Sequence, residues 1–303
     1  MISSFTPLSA ATQPGSKVNE DGHGTWPAEA PLAAWVLDGV TGINDRALLP
    51  GPSDAAWFVA QVQEALPALL SASPDRPAAV LIGALADELE RRQSAAWLDA
   101  RGADGRETPA ASFALIRLIG AEIEVLRLGD CLVLLEATDG AVTVMDHPVL
   151  AAIEAETREA LLALRASGIT DPKQAFAAML PRLRAQRQRR NLVDGYGVLA
   201  AEQSCVAMLH VDRIPAHTLR RILLVSDGYY RLVDHYGAVS DAELVRRTAD
   251  LGADAMLQQL RAIEAADPLA THFPRLKIAD DATALLIGVN HRQPLGSANI
   301  NRR

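Results

Sequence analysis

Aromatic residues are scarce, at 4% of the 303-residue chain. Without large rings, a core must be packed by Leu, Ala, Val and Ile. The 49% hydrophobic content supplies them, at a length ample for one large domain. There are only two cysteines, Cys131 and Cys205. That excludes a disulfide scaffold, and their apolar surroundings predict buried free thiols. Basic excess is missing too: the formal net charge is −8, against the field a general nucleic-acid binder needs. No apolar run is long enough to span a bilayer. Met1-Ile2-Ser3-Ser4-Phe5 lacks the charged and apolar regions of a signal peptide. The expected location is therefore the cytoplasm. No Gly-rich phosphate loop with Lys appears, which argues against a P-loop NTPase. The seven histidines show no zinc-ligand spacing.

The apolar periodicity gives the layout. Residues 53–70 predict a helix with Phe58, Val62, Leu66 and Leu69 on one face, Ser53 as its cap and Pro67 kinking its last turn. A second helix is predicted over 76–98, and a Gly-rich, charged loop over 99–109. From Ser112 to Val144 the period changes to that of strands, with Gly120-Ala121 and Asp139-Gly140 as turns. This reads as an antiparallel meander. Crossover helices are absent from it, which disfavours a doubly wound parallel sheet. Residues 148–190 read as two helices broken at Ser167-Gly168, the second opened by Asp171-Pro172. Strands are expected at 204–211, 221–226 and 283–289. Helices are expected at 241–250, behind the capping box Ser240-Asp241-Ala242-Glu243, and at 254–265. The fold class is α+β, as one domain over 1–290 with a flexible tail over 291–303.

Four acidic signatures follow one another: Asn19-Glu20-Asp21, Asp38-Gly39, Ser226-Asp227-Gly228 and Asp280-Asp281-Ala282-Thr283. Taken singly, Asp-Gly is an ordinary turn dipeptide and Asn19-Glu20-Asp21-Gly22 reads as a polar loop. Three of the four, however, adjoin short apolar runs: Trp35-Val36-Leu37, Ile222-Leu223-Leu224-Val225 and Ala284-Leu285-Leu286-Ile287. A carboxylate at the end of a buried strand is rigidly held yet reaches solvent. Several converging would repel one another unless a cation neutralised them. Oxygen ligands suit Mg²⁺ or Mn²⁺. Two such ions about 3.5–4 Å apart can bind phosphate oxygens and acidify a bridging water for in-line attack on phosphorus.

These residues resemble the metal-dependent protein phosphatases, the type 2C Ser/Thr phosphatases. Asn19-Glu20-Asp21 is similar to that family's first acidic motif, and Val36 to Gly42 to its Asp-Gly-x-Gly-Gly loop. Gly129-Asp130-Cys131 resembles its Gly-Asp-Ser motif, and Asp146-His147 a following Asp-His. Leu224 to Gly228 and Asp280 to Thr283 resemble the last two signatures. The resemblance runs from about residue 15 to 289. It implies two face-to-face antiparallel sheets with helices on both outer faces, and two Mn²⁺ or Mg²⁺ ions in a cleft at one end. It implies that Asp38 bridges both ions, that Gly39 offers its carbonyl oxygen, and that Asp227 and Asp280 are further ligands. Glu20 and Asp21 would hold waters on the metals, and Asp281 would support the site by hydrogen bonds. The activity implied is hydrolysis of phosphoserine and phosphothreonine in proteins, by a bacterial-type stand-alone signalling enzyme.

The chain also departs from that pattern. Val40 stands where many members carry a His proposed as general acid, and Thr41 where the first Gly of a pair would be. Ser16 stands where an Arg often contacts phosphate, so Lys17 next to it and Arg231 are the candidate phosphate contacts. Arg231 stands where members often carry an Asp for a third metal, leaving Asp130 as the contact for such an ion. Two rivals follow: a catalytically weak relative that binds phosphoproteins, and a two-metal phosphatase of a small metabolite. The basic run Arg182 to Arg190 reads as a solvated helix face or as a dock for an acidic partner. His23 reads as a loop histidine, and His147 as one that packs locally.

Overall fold

The computed structural model describes residues 2–40, 47–97 and 108–291. Thr41 and Gly42, most of the predicted 99–109 loop and nearly all of the predicted tail lie outside the described residues.

The chain opens with strands β1 (Ile2–Gln13), β2 (Asp21–Trp26) and β3 (Ala33–Gly39), then helices α1 (Asp54–Ala72) and α2 (Ala78–Ala96). Strands β4 (Ala110–Ile119), β5 (Glu122–Leu128), β6 (Leu132–Ala137) and β7 (Val142–Met145) follow. A helical hairpin, α3 (Pro148–Ala166) and α4 (Pro172–Arg187), comes next. The chain continues through β8 (Leu199–Ala200), β9 (His210–Pro215), β10 (Leu219–Val225), α5 (Asp227–Asp234), α6 (Asp241–Leu251), α7 (Ala253–Ala266) and β11 (Ala282–His291).

The strands form two antiparallel sheets. One has the order β1-β11-β10-β6-β7, the other β2-β3-β4-β5-β9, with β8 beside β4. Alternation along single strands explains how they stack. Ile222 and Leu224 of β10 face the other sheet, where they meet Val36, Ile116 and Val125, and Phe5 of β1 joins the same cluster. Leu223 and Val225 of the same strand face outward, onto Tyr229, Leu244, Met256 and Leu260 of α5, α6 and α7. On β3, Val36 points to the inter-sheet core while Trp35 and Leu37 pack under Phe58, Leu66, Leu81 and Leu85 of α1 and α2. Central strands are thus buried on both faces, so they read as unbroken apolar runs although the sheets are antiparallel. The architecture is helix, sheet, sheet, helix.

Local signals hold at the helix ends. The Ser53 hydroxyl accepts from the Ala56 amide at 3.1 Å, and the Ser240–Glu243 capping box is complete. Asp171 caps α4 by accepting from the Gln174 amide at 2.9 Å. Three expectations need correction. The predicted meander is divided: β4 and β5 belong to one sheet, β6 and β7 to the other, and the chain crosses between sheets at Gly129–Cys131. Asn19 to Gly22 is only partly loop, because Asp21 starts β2 through its register with Asp38. The expected strand over 204–211 is largely a 3-10 turn, Gln203–Met208, with β9 starting at His210. Cys131 and Cys205 are both buried free thiols.

The crossing demands glycine. Gly129 has φ +87°, and a Cβ there would lie 2.2 Å from Ser112 Oγ and 2.7 Å from its Cα. Gly129→Ala is expected to cost about 2 kcal/mol or more, from backbone strain and the clash together. Urea denaturation compared with wild type measures it.

Candidate functional site

Every acidic signature comes to the same end of the two sheets. Asp38 sits at the C-terminal end of β3, with Asp21 of β2 beside it on one side and Ser112 of β4 on the other. The Gly39 amide donates to the Glu20 carbonyl at 2.9 Å, tying the first signature to the second. Asp21 is buried, and neither of its carboxylate oxygens has a hydrogen-bond partner. Burial pushes its carboxyl up to about 8. The Ser226 and Thr283 hydroxyls, outside hydrogen-bond geometry, pull the other way. Asp38 is driven well above the usual carboxylate range, first by burial, then by Asp21, Asp227, Asp130 and Asp280.

The facing sheet supplies the rest. Asp227 is the first residue of α5, directly after β10. The Ser226 amide donates to the Thr283 carbonyl at 3.0 Å, and the Thr283 amide to Ser226 Oγ at 2.9 Å. This pair locks the last two signatures side by side. Gly228 permits the fit, since a Cβ there would fall 1.9 Å from the Asp281 carbonyl oxygen. Asp281 accepts from the Gly15 amide at 2.7 Å and the Glu20 amide at 2.6 Å. It fixes the segment that carries Glu20 and Asp21.

Asp280 is held by two cations. Arg231, one turn beyond Asp227 on α5, donates to Asp280 Oδ2 at 2.6 Å and stands 3.9 Å from Asp227 Oδ2. Lys277 donates to Asp280 Oδ1 at 2.7 Å. Burial alone would raise the Asp280 carboxyl, but Lys277 and Arg231 outweigh it and hold it low.

Asp130 stands at the sheet crossing, hydrogen-bonded to the Ser112 hydroxyl. Burial and Asp227 raise it to about 6. Sequence reasoning missed Glu154. It reaches in from α3, and carboxylate oxygens of Asp130, Glu154 and Asp227 all lie within 4.8 Å of one another. Although water reaches Glu154, the protein packed around it, then Asp130 and Asp227, push it up to about 8. No local pattern marks this residue, because its place depends on the α3–α4 hairpin lying beside the cluster.

The cleft over these carboxylates has a volume of about 580 Å³. Asp38, Asp130, Asp227 and Asp280 share it with Val40, with Leu150, Phe176 and Leu183 of the hairpin, and with Arg158 and Arg187. Burial lowers the Arg187 guanidinium to about 10. Lys17 is exposed and does not line the cleft. The basic run is split by the fold: Arg182 pairs with Glu156 at 3.1 Å, Arg187 lines the cleft, and Arg190 is buried, donating to the Thr108 carbonyl at 2.6 Å. His23 lies on β2 rather than in a loop, and burial lowers its pKa. His147 packs edge-on against His210, with ring centroids 4.7 Å apart.

Carboxylates from two facing antiparallel sheets, gathered under a cleft that a phosphoryl group could enter, define the class: a hydrolase of the metal-dependent phosphatase type. The chain belongs to the protein phosphatase 2C family, whose family model matches residues 13–263. Among solved structures, it is similar to a bacterial serine phosphatase at 15% identity and a TM-score of 0.54, over 96% of this chain and 100% of that one. It is similar to the Mycobacterium tuberculosis serine/threonine phosphatase PstP/Ppp at 16% identity and a TM-score of 0.52, over 96% and 100%. A PstP catalytic domain solved in complex with two manganese ions aligns at 14% identity and a TM-score of 0.50, over 96% and 99%. At these identities the likeness carries the fold. No curated protein matches the chain.

Proposed function

We propose that this chain hydrolyses phosphoserine and phosphothreonine in proteins, using Asp38, the Gly39 carbonyl, Asp227 and Asp280 to hold two Mn²⁺ or Mg²⁺ ions. One observation carries the reading: Asp38, Asp227 and Asp280 converge from both sheets into a single cleft, crowded enough to drive the Asp38 carboxyl well above its ordinary range. The donor set fits such ions. It is all oxygen, which suits hard cations, and the buried oxygens of Asp21, next to Asp38, have no hydrogen-bond partner and would accept from waters on the metals. When bound, the two ions would neutralise the phosphoryl oxygens and acidify a water between them.

The remaining residues have separable tasks. Asp281 keeps Glu20 and Asp21 in place through the Gly15 and Glu20 amides. Arg187 and Arg158 on the hairpin face the cleft and are better placed than Lys17 to meet the substrate's phosphate, because Lys17 lies off the cleft. Arg231 is engaged by Asp280. The apolar walls, Leu150, Phe176 and Leu183, suit a peptide better than a small sugar phosphate. An acidic flank of a phosphoprotein would meet the run from Arg182 toward Arg187, which reaches from an exposed helix face to the cleft. Asp130, with Glu154 beside it, is the contact for any third ion.

We read residues 1–290 as one unit, supported by the shared inter-sheet core. No helix among the described residues is long and apolar enough to cross a membrane. Two buried free thiols support a reducing, cytoplasmic setting.

The test is turnover of p-nitrophenyl phosphate with added Mn²⁺, followed by phosphopeptides against a panel of phosphorylated metabolites. We expect turnover, with kcat/KM higher for phosphopeptides. Binding of phosphopeptide without turnover would instead establish the weak relative, and preference for one metabolite the small-molecule phosphatase.

A further inference from the structure

Two cationic side chains meet on one carboxylate of the acidic cluster. Arg231 Nη2 donates to Asp280 Oδ2 at 2.6 Å, Lys277 Nζ to Oδ1 at 2.7 Å, and the Asp281 amide to Oδ1 at 3.1 Å. Both oxygens of Asp280 are therefore engaged. The Arg231 and Asp280 side chains are 17% and 14% exposed, so solvent screens their bond only partly. Arg231 also stands 3.9 Å from Asp227 Oδ2, so one guanidinium spans two of the carboxylates assigned to cations above. Sequence spacing brings both donors close. Arg231 lies one turn along α5 from Asp227, and Lys277 three residues before Asp280. Charge-assisted bonds of this length are strong, and both positive groups lie where they repel an approaching divalent cation.

We propose that Arg231 and Lys277 form an internal counter-ion for Asp280, with which Mn²⁺ or Mg²⁺ must compete. The inference rests on the two-cation reading above and deepens it. Whatever weakens the ion through the counter-ion must, reciprocally, weaken the counter-ion through the ion. The chain therefore holds one of its ions more loosely than Asp38, Asp227 and Asp280 would alone. In return, the metal-free protein keeps Asp280 paired. Arg231 belongs at the two-cation centre, bonded to Asp280 and beside Asp227, while Asp227 also faces Asp130 and Glu154.

The experiment is calorimetric titration of the full chain, stripped with EDTA and dialysed, with MnCl₂. Thermal melts of the same metal-free samples are read alongside. Arg231→Ala is expected to tighten Mn²⁺ binding by about tenfold and to lower the metal-free melting temperature. Lys277→Ala should act in the same direction but less. Its side chain is 40% exposed, so this variant carries the test should Arg231→Ala fail to fold. Unchanged or weaker Mn²⁺ binding in the folded variants, with wild-type binding intact, overturns the counter-ion and leaves the two-cation reading standing. Absence of Mn²⁺ binding in wild type and variants alike overturns both.

Discussion

Asp38→Asn and Asp227→Asn are each expected to lower phosphopeptide turnover about a thousandfold or more while the protein stays folded. Each change removes one negative charge from the place where cations would face the developing charge of the transition state. A single electrostatic contact of that kind is worth about a hundred- to a thousandfold, and loss of an ion adds to it. The change is nearly isosteric, and neither side chain belongs to the hydrophobic clusters that hold the sheets together. Asp38 carries a further signature. Four carboxylates surround it and burial disfavours its charge, so Asn relieves a repulsion. Metal-free Asp38→Asn should therefore melt no lower than metal-free wild type. Steady-state kinetics at saturating Mn²⁺ beside a thermal melt checks both halves. Near wild-type kcat in either variant would show that these carboxylates do not hold the chemistry.

Chelation should be as decisive. Treatment with excess EDTA is expected to bring activity to background, and added Mn²⁺ to restore it. The proposed donors are carboxylates and a carbonyl, with no thiol or histidine among them to retain an ion against a chelator. A melt adds an independent reading. An ion that binds only the folded chain at a hundred times its dissociation constant stabilises it by about 2.7 kcal/mol. Full activity after exhaustive chelation would refute the assignment whatever the melt showed.

The sequence revealed the parts of this molecule that depend on near neighbours. Ile222 to Val225 is legible as a strand because both its faces are buried, and Ser240 to Glu243 as a helix start because the cap is local. Asp38, Asp227 and Asp280 stood out because each adjoins such a run. β1 was illegible: Ser4, Thr6, Pro7 and Ser9 break any apolar alternation, and only pairing with β11 makes the segment a strand. β2 was hidden by its glycines and by Asp21, whose place is set by register against Asp38. The division of the meander could not be read either, since Gly129 marks a turn without saying which sheet the chain enters next. Glu154, Lys277 and the place of Arg187 in the cleft escaped for a common reason. Their partners are distant in sequence or lie in an irregular loop, and no period or motif announces such meetings.

The cluster straddles two sheets, and that origin makes it a strain gauge. Asp21 and Asp38 ride on β2 and β3, while Asp227 opens α5 just after β10 and Asp280 lies just before β11. The sheets are kept in position by side chains such as Phe5, Val36, Ile116, Ile222 and Leu285, none of which lines the cleft. A slip of one layer over the other would leave each strand intact and each carboxylate on its own backbone, yet alter every distance between the two pairs. Catalytic geometry needs tolerances well below 1 Å, whereas cooperative melting registers only wholesale loss of packing. Loosening of the shared interior would therefore appear as lost turnover at temperatures where spectroscopy still reports a folded protein.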